Sequence, residues 1–224
     1  MTIPDRQESV DEQLIAGSDK LVLLFGGISG GLGVPPFEFY KAANLLDCSK
    51  IFLRDLRQAW YQRGLPGVGD DARSIATYLA QKIDQSGCSD ITFIGNSMGG
   101  FAALLFCSMI GRGRVIAFSP QSFISPSKRR LHGDRRWGEV IGAIHAHPAA
   151  SDVYDLKDWM LQACPDIQAR VFYSDSDRLD VVHAQELSGF RNIALHGFRD
   201  GGHTLVKKLR DEGTLGRILA GGDD

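Results

Sequence analysis

The stretch Asp90-Ile91-Thr92-Phe93-Ile94-Gly95-Asn96-Ser97-Met98-Gly99-Gly100-Phe101-Ala102-Ala103-Leu104 constrains the fold more than any other part of the chain. An apolar run of strand length passes, through one Gly-x-Ser-x-Gly turn, into a helix-forming run with small residues in its first turns. So tight a junction holds the serine in backbone angles that L-residues resist. A side chain at either flanking position would collide with the neighbouring strand or helix, and glycine at 95 and 99 removes that collision. The serine hydroxyl then projects from the sheet, with the N–H groups of a helix N-terminus at its base. Ser97 is therefore a candidate nucleophile.

A second match, Gly27-Ile28-Ser29-Gly30-Gly31, follows the strand-like Leu21-Val22-Leu23-Leu24-Phe25. Here the continuation is Leu32-Gly33-Val34-Pro35-Pro36, which delays any helix by several residues. That context assigns the nucleophile to Ser97 and leaves the Ser29 turn as part of a loop beside it.

Six apolar runs read as strands, at 20–26, 50–55, 90–96, 113–119, 169–174 and 191–196. Several are nearly continuous in Val, Ile, Leu and Phe, as parallel strands covered on both faces require. Helical patterns lie between them: 36–47, 71–85 with Ile75, Leu79 and Ile83 four apart, the run from Ser97 to about Ile110, about 181–189, and a last one near Thr204. Alternation of strand and helix predicts an α/β fold, a three-layer, mainly parallel sheet of about six strands within a single domain over 1–224. Residues 121–168 break the rhythm. They are too long for one crossover helix and predict a small helical insertion, a lid at the ends of the strands or a long solvated crossover.

A serine hydroxyl needs a base, and the base needs a carboxylate to orient it. With a nucleophile elbow the chain order is nucleophile, acid, histidine. After the fifth strand comes Tyr173-Ser174-Asp175-Ser176-Asp177-Arg178-Leu179-Asp180, and after the sixth Asp200-Gly201-Gly202-His203-Thr204. Both lie at carboxyl ends of strands, the same sheet edge as Ser97. Asp177 is the preferred acid, with Asp175 and Asp180 as competitors, and Asp180 fits best as a helix cap. His203 is the preferred base. His183 and His196 read as packed or surface residues, while His132, His145 and His147 precede the acid and form no zinc-binding pattern. The oxyanion donors are expected from the N–H of Met98 and from that of Gly27 or Ile28.

Composition excludes several classes. With 43% hydrophobic and 23% charged residues and a net charge of −2, the chain is that of an ordinary soluble protein without general attraction to nucleic acid or anionic membrane. Neither a membrane-spanning run nor a signal-peptide pattern is present. Cys48, Cys88, Cys107 and Cys164 lack C-x-x-C spacing and read as free thiols, which points to the cytoplasm. A rival reading takes the Gly27–Gly33 loop as the nicotinamide-cofactor loop of a short-chain dehydrogenase, with Asp55 on the ribose and a Tyr78/Lys82 pair at Y-x-x-x-K spacing. Against it, Val34-Pro35-Pro36 intervenes before any helix, so a pyrophosphate would lack its helix N-terminus.

Together, Gly95-Asn96-Ser97-Met98-Gly99, the Asp177 loop and Gly202-His203 resemble the α/β-hydrolase superfamily over about 20–212, with its early antiparallel strands missing. The resemblance implies hydrolysis or transfer of an acyl group through an acyl-serine intermediate, with no metal and no organic cofactor. The expected partner is a small-molecule ester or thioester, carrier-linked in one version. The alternative is the same fold used as a non-catalytic binding module. Ser119-Pro120-Gln121-Ser122 is also similar to hydrolase-like proteins associated with surface-polysaccharide modification. For substrate binding, Arg54, Trp60 and Tyr61 interleave guanidinium and aromatic groups past a strand end, and the basic stretch from Lys128 to Arg136 offers a second cationic surface.

Overall fold

The computed structural model describes residues 8–28, 38–44, 46–163 and 166–222. Seven strands form one sheet: β1 (Val10–Gln13), β2 (Lys20–Phe25), β3 (Ser49–Leu53), β4 (Asp90–Asn96), β5 (Arg114–Phe118), β6 (Gln168–Ser174) and β7 (Ile193–Phe198). Their spatial order is β1-β3-β2-β4-β5-β6-β7. Every pairing is parallel except that of β1, which runs antiparallel to β3 with Val10 opposite Leu53. The six apolar runs are thus β2 to β7, and β1 is an addition. Its sequence, Val-Asp-Glu-Gln, carries two charges, and no residue in it is buried, so no apolar pattern marks it. It is held from outside, by Tyr78 and Lys82 bonding the carboxylate of Glu12. That contact also gives the Tyr78/Lys82 pair a role at the sheet edge.

Alternation along β2 sorts the core. Leu21, Leu23 and Phe25 pack into one apolar cluster, Val22 and Leu24 into another on the opposite face. The first face is covered by α2 (Ala72–Ser86), α3 (Met98–Ile110), α5 (Gly138–Ala146), α6 (Leu156–Ala163) and α7 (Arg178–Gln185), the second by α1 (Tyr40–Ala43), α8 (Leu205–Asp211) and α9 (Thr214–Leu219). Helix α3 is buried from Met98 to Ser108, which its unbroken run of apolar and small residues permits. Of the expected 36–47 helix, Tyr40–Ala43 is helical, while 31–37 and Leu45, like Ser29, Gly30 and Cys164, lie outside the described residues.

Residues 121–168 form α4 (Pro126–His132), α5 and α6. Ile141, Ile144, Leu156 and Met160 are buried in the first core, and the Trp159 indole N–H donates to Ser108 Oγ on α3 at 2.8 Å. Arg63 pairs with Asp152 and donates to the carbonyls of Ile144 and His147, which ties the loop after β3 to this insertion. Among the described residues no helix is long and apolar enough to cross a membrane.

Candidate active site

Ser97 stands between β4 and α3 with φ 54° and ψ −116°, a left-handed conformation that a side chain tolerates only under constraint. The constraint is visible. Its N–H donates to Phe118 O at 2.9 Å, and its carbonyl accepts from Phe101 N and Gln121 N. A Cβ on Gly95 would lie 2.0 Å from Gly99 O, and one on Gly99 would lie 2.1 Å from Phe25 O. No side chain fits at either position, which is the physical content of the Gly-x-Ser-x-Gly pattern.

His203 reaches Ser97 from a single 3-10 turn, Gly202–Thr204, beyond β7. Its Nε2 is 2.9 Å from Ser97 Oγ, and its Nδ1 is 2.7 Å from Asp180 Oδ1. The sequence preference for Asp177 is therefore corrected. Asp177 is the N-cap of α7, its carboxylate accepting from Leu179 N and Asp180 N at 2.9 and 3.1 Å. Asp180 sits one helical turn further on and is buried. The two roles were exchanged because both aspartates flank the same helix start, and only packing decides which one turns inward. Burial alone would raise the Asp180 carboxyl, but its bonds with His203 and Arg136 outweigh this and hold it below the usual carboxylate range.

Sequence reasoning missed Arg136 in this role. Its Nη1 donates to Asp180 Oδ1 at 3.0 Å, and two of its other nitrogens grip Asp134. The basic run that contains it divides among partners: Lys128 pairs with Asp155 and Glu186, and Arg129 donates to Arg136 O.

Glu38 is a second omission. Its Oε2 accepts from Gly27 N–H at 2.6 Å and its Oε1 from Asn96 Nδ2 at 2.8 Å, so it clamps the loop after β2 to the residue preceding Ser97. Burial raises this carboxyl despite both bonds. A Cβ on Gly27 would be 3.7 Å from Ser97 Cβ, which sets that loop against the nucleophile. Of the two loop donors expected for an oxyanion, Gly27 N–H is committed to Glu38. The N–H groups of Ile28 and Met98 donate to no described group.

Ser97 and His203 open into a cavity of about 390 Å³ lined also by Ile28, Phe39, Tyr40, Trp137 and Leu215, with Lys41, Lys207 and Arg210 among its cations. Arg54, Trp60 and Tyr61 do not line it. Trp60 and Tyr61 are fully buried, and Tyr61 donates its hydroxyl to the carbonyls of Gly26 and Leu53. Arg54 donates to Glu8 O. The expectation that these three bind substrate is corrected: they anchor the loop after β3. Asp55 is likewise occupied, accepting from the backbone of Arg57, Ala59 and Tyr61, which removes it as a ribose ligand.

No protein-family model and no curated protein matches the sequence. Solved structures do match the fold. The capsule O-acetyltransferase of Neisseria meningitidis serogroup A aligns with a TM-score of 0.67 at 14% identity, over 93% of this chain and 90% of that one. A lipase-esterase related protein from Clostridium acetobutylicum aligns at 0.60 and 14%, over 96% and 99%. A chain of a glycosylation-associated protein complex from Streptococcus agalactiae aligns at 0.65 and 16%, and this chain spans 46% of its length. With an α/β hydrolase enzyme from a lagoon-sediment metagenome also among the matches, at a TM-score of 0.57 and 14% identity, the fold is that of the α/β hydrolases.

Proposed function

We propose that this protein is a serine acyl hydrolase acting on an ester or thioester through an acyl-serine intermediate. The observation that carries the reading is the continuous contact Ser97 Oγ–His203 Nε2–Asp180 Oδ1, at 2.9 and 2.7 Å, on a strained elbow that opens into a cavity. His203 takes the Ser97 proton as the hydroxyl oxygen attacks the acyl carbon. Asp180 accepts from Nδ1–H, which fixes the tautomer with its lone pair on Nε2 and offsets the imidazolium charge. The tetrahedral oxyanion is met by Met98 N–H at the start of α3 and by Ile28 N–H. His203 then gives its proton to the leaving group, and water, activated by the same imidazole, releases the acid.

The cavity supports a small acyl group bearing a polar or anionic extension, since its walls combine apolar Phe39, Trp137, Val206 and Leu215 with Lys41, Lys207 and Arg210. The buried free thiols of Cys48, Cys88 and Cys107 fit a reducing, cytoplasmic setting. Transfer to an alcohol instead of water is the second reading, favoured by the likeness to a capsule O-acetyltransferase. A panel of p-nitrophenyl esters and acyl thioesters, assayed with wild type and Ser97→Ala, tests the hydrolytic reading. Turnover by wild type and its loss in the variant are expected, and full activity of Ser97→Ala refutes it. Added alcohol that diverts acyl groups into new ester, at the expense of free acid, identifies transfer.

A further inference from the structure

We propose that Arg136 is a positioning residue of this site: held by Asp134, it sets the aim and the charge of Asp180 and, through Asp180, the basicity of His203. The inference rests on the Ser97–His203–Asp180 reading and concerns a group that touches neither substrate nor nucleophile.

The insertion delivers Arg136 between α4 and α5, one residue before the cavity residue Trp137. Its Nη1 donates at 3.0 Å to Asp180 Oδ1, the oxygen that also accepts from His203 Nδ1, and stands 3.4 Å from that nitrogen. The rest of the guanidinium is spoken for. Nε and Nη2 reach Asp134 Oδ1 and Oδ2 at 3.2 and 3.1 Å, and the Arg136 backbone N–H bonds Oδ1 at 2.9 Å. The planar fork thus spans two carboxylates in one fixed geometry, which a lysine ammonium cannot reproduce.

Asp134 has its own footing. His183, fully buried on α7, brings Nε2 to 3.0 Å from Asp134 Oδ2, and Ser122 Oγ lies 3.2 Å from His183 Nδ1. Ser122, His183 and Asp134 imitate a second triad, but all three are buried and the Ser122 hydroxyl also contacts His183 O at 2.9 Å. No acyl group reaches it, so this array serves as a support. Bonds to His183 and Arg136 overcome the burial of Asp134 and hold its carboxyl well below the usual range, so it stays charged.

Charge then fixes the consequence. With neutral His203, the cluster of Asp134, Arg136, Asp180 and His203 carries one net negative charge, and protonation of His203 brings it to zero. Without Arg136 the resting cluster carries two, and the imidazolium gains stability. Without the charge of Asp134 the resting cluster is neutral, and the imidazolium loses it. Among the described residues, Glu38, ahead of α1, interacts electrostatically with His203, and Lys41 of α1 with Lys207 and Arg210 of α8 lines the same cavity. Both substitutions leave them in place.

The test is kcat/KM against pH for p-nitrophenyl acetate with wild type, Arg136→Met, Arg136→Lys and Asp134→Asn, each checked for a folded melting transition. Arg136→Met should lower plateau kcat about tenfold or more through a loosened Asp180, keep KM within about twofold, and move the acid limb up by about half a pH unit or more. Arg136→Lys should keep the limb near that of wild type while recovering only part of kcat. Asp134→Asn should move the limb in the opposite direction, downward. A purely structural role lowers activity without opposed movements of the limb, so limbs that stay fixed or move together overturn the proposal. If Arg136→Met does not fold, Arg136→Lys and Asp134→Asn decide: wild-type kcat in the first and an unmoved limb in the second overturn it. Should Ser97→Ala stay active, the triad reading itself has failed. Loss in Ser97→Ala beside unaltered Arg136→Met defeats only the present inference.

Discussion

Replacing Asp180 by Asn separates the two aspartates of α7 most sharply. Asp180 Oδ1 accepts from both His203 Nδ1 and Arg136 Nη1, at 2.7 and 3.0 Å. An amide keeps the shape but turns an NH2 toward one of those donors, or leaves a neutral oxygen where a carboxylate stood. An NH2 facing the imidazole favours the wrong tautomer, and in either orientation the counter-charge for the imidazolium is lost. Loss of a triad acid costs about 10³- to 10⁴-fold in kcat, which is about 4 to 5.5 kcal/mol of barrier. Asp177→Ala removes a helix cap with two N–H bonds and should cost about 1 kcal/mol of stability. Its effect on kcat should stay below about tenfold, since Asp180 lies within the first turn that the cap secures. Initial rates on p-nitrophenyl acetate, with thermal melts of both variants, read the two effects separately. A dead Asp177→Ala beside an active Asp180→Asn refutes the reasoning.

The other predictions concern scaffold and pH. Tyr61→Phe should lose about 1 kcal/mol in urea denaturation, from one buried hydroxyl bond, with KM unaltered; a raised KM would return Tyr61 to the substrate site. Gly99→Ala drives a Cβ to 2.1 Å from Phe25 O and should destabilise by about 3 kcal/mol or prevent folding, seen as loss of the cooperative melt. Asp134 and Asp180 have folded-state pKa values below their unfolded ones, so the stability they confer is present above the unfolded value, about 4, and is lost as pH falls through the folded values. Glu38 is raised and acts with the opposite sign, being less costly to the fold below the ordinary glutamate value. Urea midpoints measured from pH 7 to 3 should therefore fall less steeply in Asp134→Asn than in wild type.

Much of this was legible in the chain. Continuous apolar runs reveal β2 to β7 because parallel strands bury both faces, and Gly95 and Gly99 reveal the elbow because no other residue fits there. Strand β1 was invisible for the converse reason: four polar or half-buried residues form a strand only because β3 offers a partner. Ser97 and His203 of the candidate site were legible from chain order and local context. Asp180, Arg136 and Glu38 were not, since the aim of a carboxylate and the reach of a guanidinium across 44 residues depend on tertiary packing. Trp60 and Tyr61 misled because aromatic residues beside arginines have the same composition whether they line a pocket or fill a core; here both are fully buried, and Tyr61 bonds the loop after β2 at Gly26 O.

The central claim is that Ser97 is an activated nucleophile. Treatment with a fluorophosphonate probe, followed by mass analysis of the peptide carrying Ser97, tests it directly. Stoichiometric labelling at Ser97 in wild type, and its strong slowing in folded His203→Ala, is the outcome the geometry requires. A folded protein that leaves Ser97 unlabelled, or that labels equally fast without His203, contradicts it and favours a hydrolase fold used for binding alone.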